Sequence, residues 1–172
     1  MKRLLAMAVL ILIAGSSGRD IHAKVTRRFV PVTDAMLQKP DPADWLMWRR
    51  TLDGWGYSPL DQINRGNVAK LQMVWKRDMT TGGSNEATPL VHDGVMYLPN
   101  TGDKIQAIDV KNGELIWEYQ RALRNDRRGT NRNVAIYGST IIDTSMDNAV
   151  YAIDAENGKL VWETQILDPT KP

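Results

Sequence analysis

The chain repeats itself at a fixed offset of 45 residues, and that repeat limits what it can fold into. Lys104-Ile-Gln-Ala-Ile-Asp-Val-Lys-Asn-Gly-Glu-Leu-Ile-Trp117-Glu118 returns without a gap as Ala149-Val-Tyr-Ala-Ile-Asp-Ala-Glu-Asn-Gly-Lys-Leu-Val-Trp162-Glu163. Ala107, Asp109, Asn112, Gly113, Leu115 and Trp117 recur as Ala152, Asp154, Asn157, Gly158, Leu160 and Trp162. Each copy reads as a β-hairpin. Residues 104–108 and 149–153 are short β-rich runs, Asn112-Gly113 and Asn157-Gly158 are turn dipeptides that tolerate positive φ, and residues 115–118 and 160–163 return. A second hairpin precedes each copy: Leu90-Val91 to Val95–Leu98 around His92-Asp93-Gly94, and Val134–Ile136 to Thr140–Ile142 around Tyr137-Gly138-Ser139. Four short strands per unit make an all-β propeller blade, 81–122 for the first and 123–165 for the second.

A blade is a small twisted sheet that cannot bury both faces alone. A tryptophan closing each unit can cover the neighbouring blade while its N–H finds a backbone acceptor. The chain has six tryptophans against one phenylalanine, and packing is the role expected of them. Trp45, Trp48, Trp55 and Trp75 belong to a segment at 45–80. Within it Asn64 is placed to cap a short helix through Leu71. Residues 71–78 then read as a lone closing strand, the last strand of a blade whose other strands lie elsewhere.

Lys2 and Arg3, the apolar run Leu4 to Ala14 and the small residues Gly15-Ser16-Ser17-Gly18 form the pattern of a secretory signal peptide, with a cut expected after Ala23 and an extension at 24–44. The run is shorter than the roughly 20 residues a membrane span needs. Without residues 1–23 the formal net charge falls from +2 to 0, which gives no electrostatic reason to expect nucleic acid as a partner. Cysteine is absent, so the chain has no disulfide, no thiolate metal site and no haem-attachment Cys-x-x-Cys-His. Residues 166–172 read as a cut-off tail.

Ala-x-Asp-x-x-Asn-Gly-x-x-x-Trp at 107–117 and 152–162 resembles the tryptophan-docking motif of the pyrroloquinoline-quinone (PQQ) dependent alcohol dehydrogenases, with Asn in place of the usual Thr before Gly. Asp44-Trp45-Leu-Met-Trp48, Gly56-Tyr57-Ser58-Pro59-Leu60-Asp61-Gln62-Ile63-Asn64 and Asn67-Val68-x-x-Leu71 resemble the opening segment of these quinoproteins, so the likeness runs over about 33–165. The resemblance implies the N-terminal part of an eight-bladed β-propeller, represented here by two four-stranded blades and a closing strand.

It also implies chemistry. Asn85-Glu86-Ala87-Thr88-Pro89 is similar to the segment whose Glu hydrogen-bonds PQQ, and Thr130-Asn131-Arg132 to the segment whose Arg pairs with it. Thr144 is similar to a Thr that contacts the cofactor. At offset 45, Glu86 falls on Asn131 and Ala87 on Arg132, so both groups sit just before the first strand of adjacent blades. Arg suits the planar carboxylates of PQQ, whereas Glu86 must accept from a ligand N–H or a nearby donor, or be protonated. Read from the residues alone, Arg121, Arg124, Arg127, Arg128 and Arg132 form a solvated basic loop.

The family reaction implied is periplasmic oxidation of an alcohol, with electrons passed to a cytochrome c or ubiquinone and Ca²⁺ polarising the quinone. The calcium ligands and the catalytic carboxylate are expected outside this chain, which alone is expected to be inactive. Two rival readings are a non-catalytic propeller scaffold, like the lipoprotein of outer-membrane protein assembly, and a truncated gene remnant. The first calls for a lipid-attachment Cys and no cofactor residues.

Overall fold

The computed structural model describes residues 28–79, 84–124 and 132–168; the leader expected at 1–23 lies outside the described residues. Two four-stranded antiparallel sheets carry the fold. The first is β1 (Leu90–His92), β2 (Val95–Asn100), β3 (Lys104–Asp109) and β4 (Leu115–Gln120), and the second is β5 (Ala135–Tyr137), β6 (Thr140–Thr144), β7 (Ala149–Asp154) and β8 (Leu160–Gln165). In each sheet the spatial order follows the chain, the pattern of a propeller blade.

The repeated residues build the same turn twice. In the first, the N–H groups of Gly113 and Lys111 donate to the backbone C=O and the side chain of Asp109, at 2.9 and 2.8 Å. Asn112 Oδ1 accepts from Glu114 N–H at 3.0 Å. In the second, Asp154 accepts from Gly158, Glu156 and Asn157, and Asn157 from Lys159. Both outer hairpins carry an irregularity at the same point, between Ala107 and Ile108 and between Ala152 and Ile153. An extra residue there bends the outer strand just before Trp117 and Trp162.

Those turns receive tryptophans. The Trp117 indole lies over Gly158, where a Cβ would meet its Cε3 at 2.6 Å, and its Nε1–H donates to Ala155 O at 3.1 Å. Tyr97 donates its hydroxyl to the same oxygen at 3.2 Å. Trp75 repeats the arrangement one unit earlier: it lies over Gly113 with the same 2.6 Å approach and donates to Val110 O at 2.9 Å. Trp162 is 42% exposed.

Three expectations for the opening segment change. Residues 71–79 form no ladder, since a strand needs a neighbour and none of the described residues supplies one. Trp75 nevertheless occupies, against the first sheet, the position that Trp117 of β4 occupies against the second. The short helix is a 3-10 turn, Val68–Lys70, with Asn67 rather than Asn64 at its N-cap, while the Asn64 side chain accepts from Gly66 N–H. Trp48 and Trp55 are 55% and 78% exposed, so packing describes Trp75 and Trp117 but not these two.

The segment before the sheets straps them together. Its only α-helix among the described residues is α1 (Asp34–Gln38), capped by the Thr33 hydroxyl. A bridge from Val32 to Gly138 joins it to the second sheet, and one from Trp45 to Val91 joins it to the first. Asp44 Oδ2 and Val30 O lie 2.8 and 2.7 Å from the two ring nitrogens of the buried His92. The apolar core, including Tyr97, Ile105, Ile141, Tyr151 and Ile153, is continuous between the sheets.

This docking fixes two outcomes measurable by denaturant unfolding. Gly158→Ala combines overpacking against the indole with a φ of +73° and should lower stability by about 2–4 kcal/mol. Trp117→Phe keeps most of the apolar cover, leaves Ala155 O with Tyr97 as donor, and should cost less, about 1–2 kcal/mol. Equal losses would mean that the hydrogen bond, not the close approach, holds the blades.

Candidate functional site

Strand direction sorts the molecule into two ends. The turns at Asp93-Gly94, Asn112-Gly113, Gly138-Ser139 and Asn157-Gly158 share one end with the docked tryptophans. The lead-ins to β1 and β5, the ends of β4 and β6 and the β2–β3 and β6–β7 turns share the other. Glu86, Arg132 and Thr144 all belong to this second end.

Glu86 and Arg132 meet there. Arg132 Nε lies 3.2 Å from Glu86 Oε2, with the side chains 71% and 52% exposed. Two residues on, Thr88 N–H donates to Arg132 O at 3.2 Å, so the lead-ins of the adjacent sheets run side by side. Of the partners open to Glu86, the nearby donor is the one realised. Thr144 ends β6, is exposed, and by the β5–β6 register stands level with Asn133, next to Arg132. Among the described residues no hydrogen bond joins it to Glu86 or Arg132.

The basic loop is not uniformly solvated. Arg127 and Arg128 lie outside the described residues, but Arg121 is 3% exposed. Its guanidinium donates to Asp147 Oδ1 at 2.8 Å, Ser145 Oγ at 2.7 Å and both Glu163 oxygens at 3.0 and 3.1 Å. Asp103 lies 3.5 Å away and accepts from Ser145 Oγ as well. The second oxygen of Asp147 accepts from Arg124 N–H at 2.9 Å, and the Arg124 side chain reaches Glu163 and Gln165.

Burial opposes each charge in this network, and the outcome differs by partner. Bonds from Arg121, Arg124 N–H and Ser145 outweigh burial at Asp147 and hold its pKa down to about 2. Bonds to Glu163 and Asp147 likewise outweigh burial at Arg121 and raise its pKa further. At Asp103 burial dominates and pushes the carboxyl up. Sequence reasoning missed Arg121, because its partners lie 18 to 42 residues away.

Beside Thr144 sits a second buried carboxyl. Asp143 accepts from Tyr151 OH at 2.9 Å and from Thr144 N–H at 2.7 Å, and burial raises its pKa to about 7. Tyr151 in turn stacks on Tyr119 of the first sheet, ring centres 5.7 Å apart, with Arg121 5.8 Å from its own ring centre. A cleft of about 620 Å³ opens at the opposite end between the two sheets, lined by Phe29, Tyr97, Leu115, Trp117 and Ala155. It holds none of the three candidate residues and is the crevice beside the docked Trp117.

Comparison with known proteins agrees with this architecture. Residues 45–163 match the PQQ family's glucose/ethanol/alcohol dehydrogenase β-propeller domain. The quinohemoprotein alcohol dehydrogenase ADH-IIG of Pseudomonas putida is 35% identical over 141 residues, 77% of this chain and 19% of the relative. The dehydrogenase subunit of the quinone alcohol dehydrogenase of Gluconacetobacter polyoxogenes is 42% identical over 87 residues, 50% of this chain and 12% of that subunit. The solved Pseudomonas putida ADHIIG structure superposes with a TM-score of 0.72 at 32% identity, covering 81% of this chain and 22% of that one. The chain thus spans between about a tenth and a quarter of the relatives it matches.

The buried carboxyl gives a pH dependence with a definite sign. Asp143 binds its proton more tightly folded, with a pKa of about 7, than unfolded, near 4. Its stabilising contribution is complete below about pH 4 and is lost as pH rises through about 7, a change of up to about 4 kcal/mol. Asp143→Asn should flatten stability between pH 4 and 8 in urea titrations of the full protein. An unchanged slope would place the titration elsewhere.

Proposed function

The chain belongs to the PQQ family of glucose/ethanol/alcohol dehydrogenase β-propellers, and on that premise we propose that it forms one sector of the PQQ cradle in a periplasmic enzyme oxidising alcohols. The observation that carries this reading is the contact between Glu86 and Arg132 from the lead-ins of adjacent sheets. In a propeller, first strands line the axis, so a ligand there would meet both groups.

The donor set fits the cofactor. PQQ presents three carboxylates and a quinone. The ion pair engages Arg132 through Nε, and a guanidinium carries further donors on its two Nη nitrogens for a planar carboxylate. Both side chains are more than half exposed, so neither is spent on core packing. Glu86 orients the guanidinium and offers an acceptor for a ligand N–H, and Thr144 adds a hydroxyl at the same end. PQQ, when bound, supplies the two-electron quinone chemistry. The chain's own part is to bind and orient it.

Among the described residues no group of three or more His, Asp or Glu is arranged to hold a metal ion. On this reading the calcium ligands and the alcohol-activating carboxylate come from the rest of the enzyme. A cytochrome c or ubiquinone is the acceptor this reading calls for. The charged, apolar and small-residue pattern of residues 1–23 supports export to the periplasm.

In the full-length apoprotein, Arg132→Ala should weaken PQQ about ten- to hundred-fold by titration, the effect of losing charge-assisted bonds. Glu86→Gln should weaken it less. Unchanged affinity in both would remove this pair from the cradle. The 172-residue chain alone, given PQQ and Ca²⁺, should show no alcohol-dependent dye reduction.

A further inference from the structure

One buried guanidinium holds the turn that directly follows a candidate cofactor residue, Thr144. Arg121 directly follows β4 and opens the connection that returns as Arg132 and β5. Its Nη1 donates to Ser145 Oγ and to Asp147 Oδ1, at 2.7 and 2.8 Å, in the turn that begins immediately after Thr144. Asp147 then accepts from Arg124 N–H at 2.9 Å, which fixes the start of the connection against that turn. Its Nε and Nη2 reach Glu163 at the far edge of the second sheet. Arg121 N–H meanwhile donates to Asp103 O of the first sheet at 3.1 Å, so the residue belongs to both blades.

We infer that Arg121 is a positioning residue for the cofactor cradle, holding the β6–β7 turn that directly follows Thr144 against the end of the first sheet. The inference rests on the cradle reading of Glu86, Arg132 and Thr144. Adhesion alone does not call for such a device. Buried ion pairs give little net stability over apolar packing of the same volume, and what they supply is direction. The fork geometry of guanidinium serves several acceptors at once, which a lysine ammonium on its flexible stem cannot reproduce. The acceptors here come from the β2–β3 turn, the β6–β7 turn and β8.

The test uses the full-length apoprotein with Arg121→Lys, and Ser145→Ala as a lighter variant in case the first does not fold. Backbone hydrogen exchange is read at Ser145 and Arg124, whose N–H groups donate to Ala149 O and Asp147 Oδ2. PQQ affinity is measured by titration, and Ile141→Val in the core serves as a control for stability lost elsewhere. Arg121→Lys should speed exchange at both amides roughly tenfold, with β2 and β3 unaffected, and weaken PQQ by about tenfold. Ser145→Ala should do the same to a smaller degree, and Ile141→Val should leave PQQ affinity unchanged. The proposal falls if a folded Arg121→Lys keeps wild-type exchange at these amides or wild-type PQQ affinity. It falls equally if Ile141→Val weakens PQQ as much, or if, with Arg121→Lys unfolded, Ser145→Ala changes neither readout. Arg132→Ala separates the two levels. If it weakens PQQ while Arg121→Lys does not, the cradle stands without the positioning residue; if neither does, both readings fall.

Discussion

The rest of the structure depends on an indole lying flat on a glycine that has no room for a Cβ. Trp117 over Gly158 and Trp75 over Gly113 approach so closely that any side chain would collide at 2.6 Å. The glycine is required twice, by that contact and by its left-handed backbone in the turn. The carbonyl that accepts each Nε1–H lies three residues before the glycine, at Val110 and Ala155. A flat apolar plate and a directional bond thus set both the spacing and the rotation of one sheet against the next. The Glu86 and Arg132 lead-ins are neighbours at the other end of the two sheets that Trp117 holds together.

Much of this was legible in the sequence because the turn is local. Asp109, Asn112 and Gly113 do their work within five residues, and their return at 154, 157 and 158 exposes the rule. Trp75 was harder. It docks as Trp117 does but stands on a segment with no ladder, so its role shows only through the partner turn 35 residues on. The choice between Asn64 and Asn67 as cap was a matter of one turn of backbone, and spacing does not resolve that.

The arginines mark where sequence reading stops. Five of them in twelve residues look alike on paper, yet one is sealed in the protein and another is 71% exposed. What separates Arg121 from Arg132 is that Asp103, Ser145, Asp147 and Glu163 converge on the first from two turns and a strand. Glu86 and Arg132 were identifiable through resemblance, and the repeat offset had already put them before equivalent strands. Their mutual contact follows from the inter-blade rotation, which no local pattern encodes.

The two ends of the sheets therefore use different physics for different requirements. At the turn end, contact is large and mostly apolar, with one directional bond from each docked indole, which suits adhesion between repeats. At the other end, charges are drawn out of water and each must be met by an oriented partner, at a desolvation cost that apolar packing would avoid. Asp143, Asp103 and Asp147 are all buried there, two held up in pKa by burial and one held down by a guanidinium and a backbone N–H. A fold seeking only stability would not concentrate three buried carboxyls at one end. The proposed cofactor cradle would impose a different requirement, because donors for an anionic planar ligand must be fixed before the ligand arrives. The polar end meets that requirement with directional bonds, and the tryptophan end holds the blades still while it does so.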